Sequence, residues 1–159
     1  MNEEAKKKLL RMIPHALYVL TSRAGGKTAA ATVSWVTQAS FQPPLIAVGL
    51  KKDSYTFAVV QAAGHFALNF LGKDQKETAQ KFFKHLEPEE GRLSGEPFRE
   101  SPLFKNPVFP DMAGFVECEV LQVVDQGDHA LVLAEVLDAA PGGAEGPLLL
   151  STTGWQYGG

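Results

Sequence analysis

Between Ala29 and Thr56 the chain gathers side chains suited to holding a flat, charged small molecule. Thr32, Val33, Ser34 and Ser40 put short apolar and hydroxyl groups at one end of an apolar stretch, with Trp35 among them. Pro43-Pro44 forms a corner into a second apolar run, Leu45 to Leu50, which ends in Lys51, Lys52, Asp53, Ser54, Tyr55 and Thr56. An indole and short aliphatic groups offer a flat lining. Hydroxyls and bare backbone N–H groups offer donors, and a lysine offers a local cation. Those parts suit a planar ring that carries a phosphate tail.

Each part also has a plainer reading. Asp53 or Ser54 caps a helix running to about Ala62. The free N–H groups and dipole of that helix start favour an anion, with Lys51 or Lys52 adding charge; an ordinary cap with solvated lysines uses the same residues. Thr32, Ser34 and Ser40 line a groove shielded by Trp35, or they belong to a common strand with a core tryptophan. His129 follows Gly127-Asp128 at a hairpin, where it meets a ligand or simply bonds to Asp128. Asn69, on an otherwise apolar strand, needs partners if buried, from the backbone or from a ligand.

Other reactive side chains suggest less. Cys118 lies between Val116 and Val120 with no cation beside it, the pattern of a small core residue and not of a nucleophile. Glu117 and Glu119 share the opposite strand face and are expected in solvent. His15, His65, His85 and His129 lack metal-ligand spacing, so no metal site is expected. No phosphate-binding P-loop, nucleophile elbow or G-x-G-x-x-G fingerprint occurs.

The elements that must position these residues follow from pattern. Residues 3–13 form an amphipathic helix ended by Pro14, with Ala5, Leu9, Met12 and Ile13 on one face. Ala16 to Ser22 and Thr28 to Val36 are strands joined by the turn Ala24-Gly-Gly-Lys27. Leu45 to Leu50 is a strand buried on both faces, and Gly64 closes the helix after it. His65 to Leu71 alternates, with Phe66, Leu68 and Phe70 on one side and Ala67, Asn69 and Leu71 on the other. Asp74 to Lys84 is a second helix, with Ala79, Phe82 and Phe83 inward.

Residues 85–110 are irregular but carry Phe98, Leu103, Phe104 and Phe109, so they are expected to fold back as an ordered surface excursion. Ala113 to Asp125 and Ala130 to Leu137 form a hairpin turning at Gln126-Gly-Asp128. Leu148 to Ser151 is a short last strand, and Trp155 to Tyr157 follow it near the end. About six or seven hairpin-linked strands favour a nearly closed antiparallel barrel over a parallel doubly wound sheet. No internal repeat or boundary divides residues 1–159, which read as a single domain.

Composition sets the outer bounds. The 159 residues are 45% hydrophobic and 21% charged, an ordinary globular balance. A domain of this size buries roughly 68–70% of its unfolded surface. A net charge of −3 argues against a nucleic-acid partner. A single cysteine allows no internal disulfide, and the start has no apolar signal segment, so a cytoplasmic setting is expected. No run approaches the ~20 apolar residues of a membrane helix, so no membrane partner is expected.

Taken in order, several segments together resemble the flavin reductase-like family, the FMN-binding split-barrel group. They are Pro14 to Ser22, Ala31-Thr-Val-Ser-Trp35, Ala39 to Val48, Ser54-Tyr-Thr56, His65 to Leu71 and Ala79-Gln-Lys-Phe82. Glu117-Cys118, Gly127-Asp-His129, Glu135-Val136 and Pro147-Leu148-Leu149 complete the series. Ala134 departs from the glycine that many members place before the Glu-Val pair, and the 97–110 stretch has no transferable role.

The resemblance implies a mainly β fold, a Greek-key split barrel with a few peripheral helices, that forms a homodimer. FMN, or FAD in some members, is implied near the subunit interface, with NADH or NADPH as co-substrate. Thr32, Val33, Ser34, Trp35 and Ser40 are implied along the flavin. Leu50, Lys51, Ser54, Tyr55 and Thr56 are implied at its ribityl-phosphate end, with Phe82 and Lys84 as further contacts. Asn69 joins the candidate cofactor set. His129 is implied as the nicotinamide-facing catalytic residue in hydride transfer to flavin N5. An oxygenase or redox protein is an implied partner. Two alternatives stay open: a flavoredoxin-like FMN electron carrier without nicotinamide turnover, and a flavin-sensing or structural domain.

Overall fold

The structure, a computed structural model, describes residues 1–159. Helix α1 (Glu3–Leu10) precedes strands β1 (Tyr18–Ala24), β2 (Lys27–Val33), β3 (Val36–Ser40) and β4 (Leu45–Lys51). Helix α2 (Tyr55–Ala63), β5 (His65–Phe70) and α3 (Lys76–Lys81) follow. Four two-residue strands, β6 (Arg92–Leu93), β7 (Glu96–Pro97), β8 (Arg99–Glu100) and β9 (Pro107–Val108), punctuate the excursion before the long hairpin β10 (Gly114–Val124) and β11 (His129–Pro141).

Seven strands make one antiparallel sheet in the order β2-β1-β5-β10-β11-β4-β3. Its two edge strands, β2 and β3, are joined by Ser34 and Trp35 alone. In a flat sheet six inter-strand spacings would hold those edges about 29 Å apart. Three Cα steps from Val33 to Val36 reach at most about 11 Å. The sheet therefore has to curl until its edges meet, which makes it a barrel split along β2 and β3. The strand expected from Thr28 to Val36 is thus two strands, and the break falls at the residues that close the barrel.

Both faces of the sheet are covered, which explains the near-continuous apolar runs. Leu20, Val48, Phe66, Leu68, Cys118 and Val132 fill the barrel, and Phe57 and Val60 of α2 pack into the same core. On the outer face Val19, Ala30, Leu71 and Leu148 meet Ala79 and Phe82 of α3 and Phe109 and Met112 of the excursion. Burying a Phe or Leu contributes roughly 1.5–3 kcal/mol. Cys118 is fully buried among these groups, and burial pushes its thiol pKa up to about 12.

The outer cover is anchored by polar groups. Glu117 is fully buried, contrary to the expectation of solvent exposure. Its carboxylate accepts from the Ser101 hydroxyl, from Leu103 N–H at 2.9 Å and from Phe104 N–H at 3.1 Å. Asn106 donates through its backbone N–H to Ser101 Oγ at 2.9 Å, and its side chain meets His65 Nδ1 at 3.1 Å. Thr21 donates to Pro107 O at 2.6 Å. Glu119, two residues along, lies beyond this cover and is exposed.

Other boundaries shift for local reasons. The first helix ends at Leu10, with Arg11 as its C-cap. The second predicted helix shortens to Lys76–Lys81. Residues 148–151 do not form a strand: Leu149 makes one isolated bridge to Ala16, and Leu150–Thr152 is a 3₁₀ turn.

Replacing Glu117 by Ala leaves a buried hydroxyl and two part-buried backbone N–H groups without their acceptor. Glu117→Ala is expected to lose about 3 kcal/mol of stability, read from urea unfolding. A loss below about 0.5 kcal/mol would contradict this anchoring role.

Candidate functional site

The corner that closes the barrel also opens a groove of about 500 Å³, within the usual range for small-molecule sites. Ala31 to Trp35 form one wall, from the end of β2 and the linker. Gly49, Leu50 and Lys51 at the end of β4, with Ser54 and Thr56 at the start of α2, form the other. Trp35 holds its place because position 49 is glycine: a Cβ there would lie 3.1 Å from Trp35 Cε3. Gly49 N–H donates to Trp35 O at 2.9 Å, tying the two walls together.

The α2 start carries the polar end. Ser54 is the N-cap, and its Oγ accepts from Phe57 N–H at 3.1 Å. Tyr55 and Thr56 N–H groups stand at the first helical positions, where no intrahelical acceptor exists. Lys51 lies beside them, partly drawn to Asp53 at 3.2 Å. Such a helix start, with a free hydroxyl and a cation, favours an anion.

The hydroxyl inventory differs from the sequence reading at one point. Thr32 lines the groove, yet its hydroxyl donates to Ala79 O at 2.6 Å and its N–H to Phe82 O at 3.2 Å. It therefore fastens α3 to the barrel and has no O–H left for a ligand. Ser34 is buried at the groove wall.

His129 stands just outside the lining. The β4–β11 register sets His129 opposite Lys51. Its ring lies 4.6 Å from that of Trp35, Nδ1 is 2.9 Å from Asp128 Oδ1, and Nε2 is 2.7 Å from Tyr157 Oη. Hydrogen bonding from His129 holds the exposed Asp128 carboxyl below the usual range; an ionised carboxylate only accepts, so the hydrogen bond is made with the proton on Nδ1. Nε2 then accepts from the Tyr157 hydroxyl, whose pKa burial pushes up.

Of the residues singled out from sequence, Thr32, Val33, Ser34, Trp35, Leu50, Lys51, Ser54, Thr56 and Phe82 meet at this groove. Four do not. Asn69 is fully buried on the outer face of β5, where it donates to Val19 O at 3.1 Å and accepts from Phe109 N–H at 3.2 Å. It is satisfied by backbone, the other of its two readings. Ser40 belongs to a second opening at the split, with Tyr18, Val36, Phe41 and Phe70. Tyr55 packs its ring 4.1 Å from His85 and leaves only its backbone near the groove. Lys84 is exposed past the end of α3.

The far wall went unassigned in the sequence. Leu17, Phe83 and Leu150 contribute, and so do Trp155, Gln156 and Tyr157. Phe83 and Trp155 meet edge to face at 4.9 Å, and Trp35 and Tyr157 rings lie 5.2 Å apart. The only local signal was two aromatic residues between Gly154 and Gly158.

The fold is thus a split antiparallel barrel whose seam holds an aromatic groove ending at a helix start. The chain belongs to the flavin reductase-like domain family, whose model matches residues 10–158. It is 31% identical over 140 residues to diflavin flavoprotein A 1 of Synechocystis, covering 87% of this chain and 24% of that protein. It is 31% identical over 134 residues to the stachydrine N-demethylase reductase subunit of Rhizobium meliloti, covering 84% of this chain and 56% of that protein. The chain thus spans about a quarter of the diflavin relatives it matches.

Among solved structures, the NADH:FAD oxidoreductase of Streptomyces globisporus C-1027 superposes with a TM-score of 0.81 at 22% identity, over 97% of this chain and 90% of that one. A flavin reductase solved with NADP+ gives 0.75 at 23% identity, over 94% and 92%. These likenesses establish the same split-barrel fold.

Thr32→Val keeps the shape of the wall and removes the hydroxyl bonded to Ala79. It is expected to cost about 1 kcal/mol in chemical denaturation, because the loss is a structural hydrogen bond.

Proposed function

We propose that this domain is an NAD(P)H:flavin oxidoreductase that holds FMN, or alternatively FAD, in the seam groove. The observation that carries this reading is the composition of the groove along its length. Trp35, Val33 and Leu50 give it apolar walls, and Lys51, Ser54 and the free N–H groups of Tyr55 and Thr56 give it one anion-seeking end. A flat ring with a phosphorylated chain fits that order. The named relatives include a reductase subunit, and one neighbour was solved with NAD and FAD fragments.

The flavin, when bound, supplies the hydride-accepting chemistry. The chain's own residues supply placement. Trp35 and Val33 hold the ring plane, the α2 start fixes the phosphate, and His129 stands at the groove mouth to orient the nicotinamide. Alignment of two reactants contributes up to about 7–11 kcal/mol of barrier reduction, so no strong acid or base is demanded.

The working unit in this reading is a homodimer. The second opening, about 620 Å³, is lined by Tyr18, Val36, Leu45, Phe70 and Val136, and Phe41 stands 94% exposed at its rim. A second copy would cover these groups and bring Ser40 toward the interface. No helix is long and apolar enough to cross a membrane; the cytoplasmic setting is part of the proposal. An oxygenase or another redox protein would consume the reduced flavin.

Anaerobic NADH or NADPH is expected to bleach the visible band of the FMN-loaded protein. Stable FMN binding without bleaching would replace this reading with the electron-carrier one, and no flavin binding would remove both. Lys51→Ala is expected to weaken FMN roughly three- to fivefold, leaving riboflavin unaffected because it has no phosphate. Equal losses for both ligands would move the phosphate away from the α2 start. Sedimentation equilibrium is expected to give a dimer, and Phe41→Asp a monomer.

A further inference from the structure

Segment 154–158 crosses the mouth of the proposed site, yet no backbone–backbone hydrogen bond joins it to the barrel. Side chains hold it instead. Arg11, the C-cap of α1, donates through Nε to Gly158 O at 3.0 Å and through Nη1 to Gln156 Oε1 at 2.8 Å. Tyr157, 47% exposed, donates to His129 Nε2 at 2.7 Å. Gly154 and Gly158 both have positive φ, +80° and +91°, and a Cβ on Gly158 would meet Trp35 at 3.0 Å. The segment is a strap with a glycine at each end, resting on the indole that walls the groove. Apolar contact adds to this, with Trp155 partly buried against Phe83 and Tyr157 on Trp35; a segment with no ladder bonds and mostly exposed residues opens at lower free-energy cost than a strand.

His129 has no nitrogen to spare while the strap is down. Nδ1 is used by Asp128 and Nε2 by Tyr157. A carboxamide approaching His129 brings N–H donors, and the single acceptor they can use is Nε2. We infer that Tyr157 is a displaceable placeholder on His129, that the strap 154–158 must lift to free Nε2 for the nicotinamide carboxamide, and that Arg11 is its latch. This rests on the reading of His129 as the nicotinamide-facing residue. Tyr157 acts through His129, so it is a positioning residue and takes no part in the transfer itself. Arg11 tunes the equilibrium between closed and open strap from outside the groove.

Two variants and one quenching measurement test this. Tyr157→Phe keeps the ring and removes the competing O–H. In the FMN-loaded protein it is expected to tighten Kd for oxidised nicotinamide dinucleotide, and to lower KM for the reduced form, by about three- to tenfold. A purely structural loss would weaken nicotinamide binding, so a gain in affinity separates the two roles. Arg11→Ala is expected to shift nicotinamide affinity the same way and to raise acrylamide quenching of the tryptophans Trp35 and Trp155, which lie under and on the strap. Weaker nicotinamide binding in Tyr157→Phe would overturn the proposal, making Tyr157 part of the closed complex. So would tryptophan quenching in Arg11→Ala equal to that of the wild type. Wild-type protein that binds neither FMN nor FAD overturns the functional reading instead, and the quenching result then decides alone whether the strap opens.

Discussion

The structure depends on one short connection. Ser34 and Trp35 carry the chain from one edge of a seven-strand sheet to the other. No flat or gently twisted sheet allows that, since about 11 Å of chain would have to span about 29 Å. Closure puts the ends of β2 and β4 side by side, and β4 feeds α2. The helix start, the indole and the small residues of β2 therefore meet because the barrel closes there. The edges touch at this corner but do not pair along their length, and the gap that remains is the groove.

A second constraint holds the outside. A sheet facing the core on one side ordinarily leaves its other side to water. Here the outer face of β1, β5 and β10 is covered by the 97–110 excursion, and the cover is bonded through Thr21, His65, Asn69 and Glu117. Burying a carboxylate is costly unless its lone pairs are taken, and Glu117 has three donors. The polar residues that looked like solvent-facing or ligand-facing groups are what make an irregular segment fit one place. Phe104, stacked 4.4 Å from the His65 ring, completes the contact.

Much of the fold was legible because period and punctuation agree with it. The alternation of Phe66, Leu68 and Phe70 against Ala67 and Asn69 separates the two cores on β5, and Ser54 and Gly64 bound α2 as their chemistry predicts. The near wall of the groove was legible for the same reason, since its residues are consecutive in the chain. Glu117 and Glu119 were not separable, because alternation assigns a face but cannot say what later segment covers it. Ser40 was placed by its hydroxyl in series with Thr32 and Ser34 as well as by likeness to a family, Lys84 by likeness alone; the register bulge after Gln38 and the early end of α3 put them elsewhere. The far wall was illegible because Trp155, Gln156 and Tyr157 lie more than 100 residues from Trp35 and have no repeating pattern.

The site has few charged groups, and that sparseness is consistent with its proposed work. A reaction whose electronics reside in the bound ring asks the protein for shape, a phosphate anchor and exclusion of water. Shape comes from Trp35 seated against Gly49, where any larger residue would push the indole outward. The anchor comes from backbone groups at a helix start, which need no side-chain titration. Exclusion of water is the remaining requirement, and only the aromatic residues of 154–158 and Phe83 are placed to meet it. A permanent cover would also shut out the second reactant. In the proposed strap, a cover held by an arginine, a tyrosine hydroxyl and the Phe83–Trp155 edge contact, with no ladder bonds to break, resolves that conflict: it covers the groove at rest and yields its one shared acceptor to a competing donor.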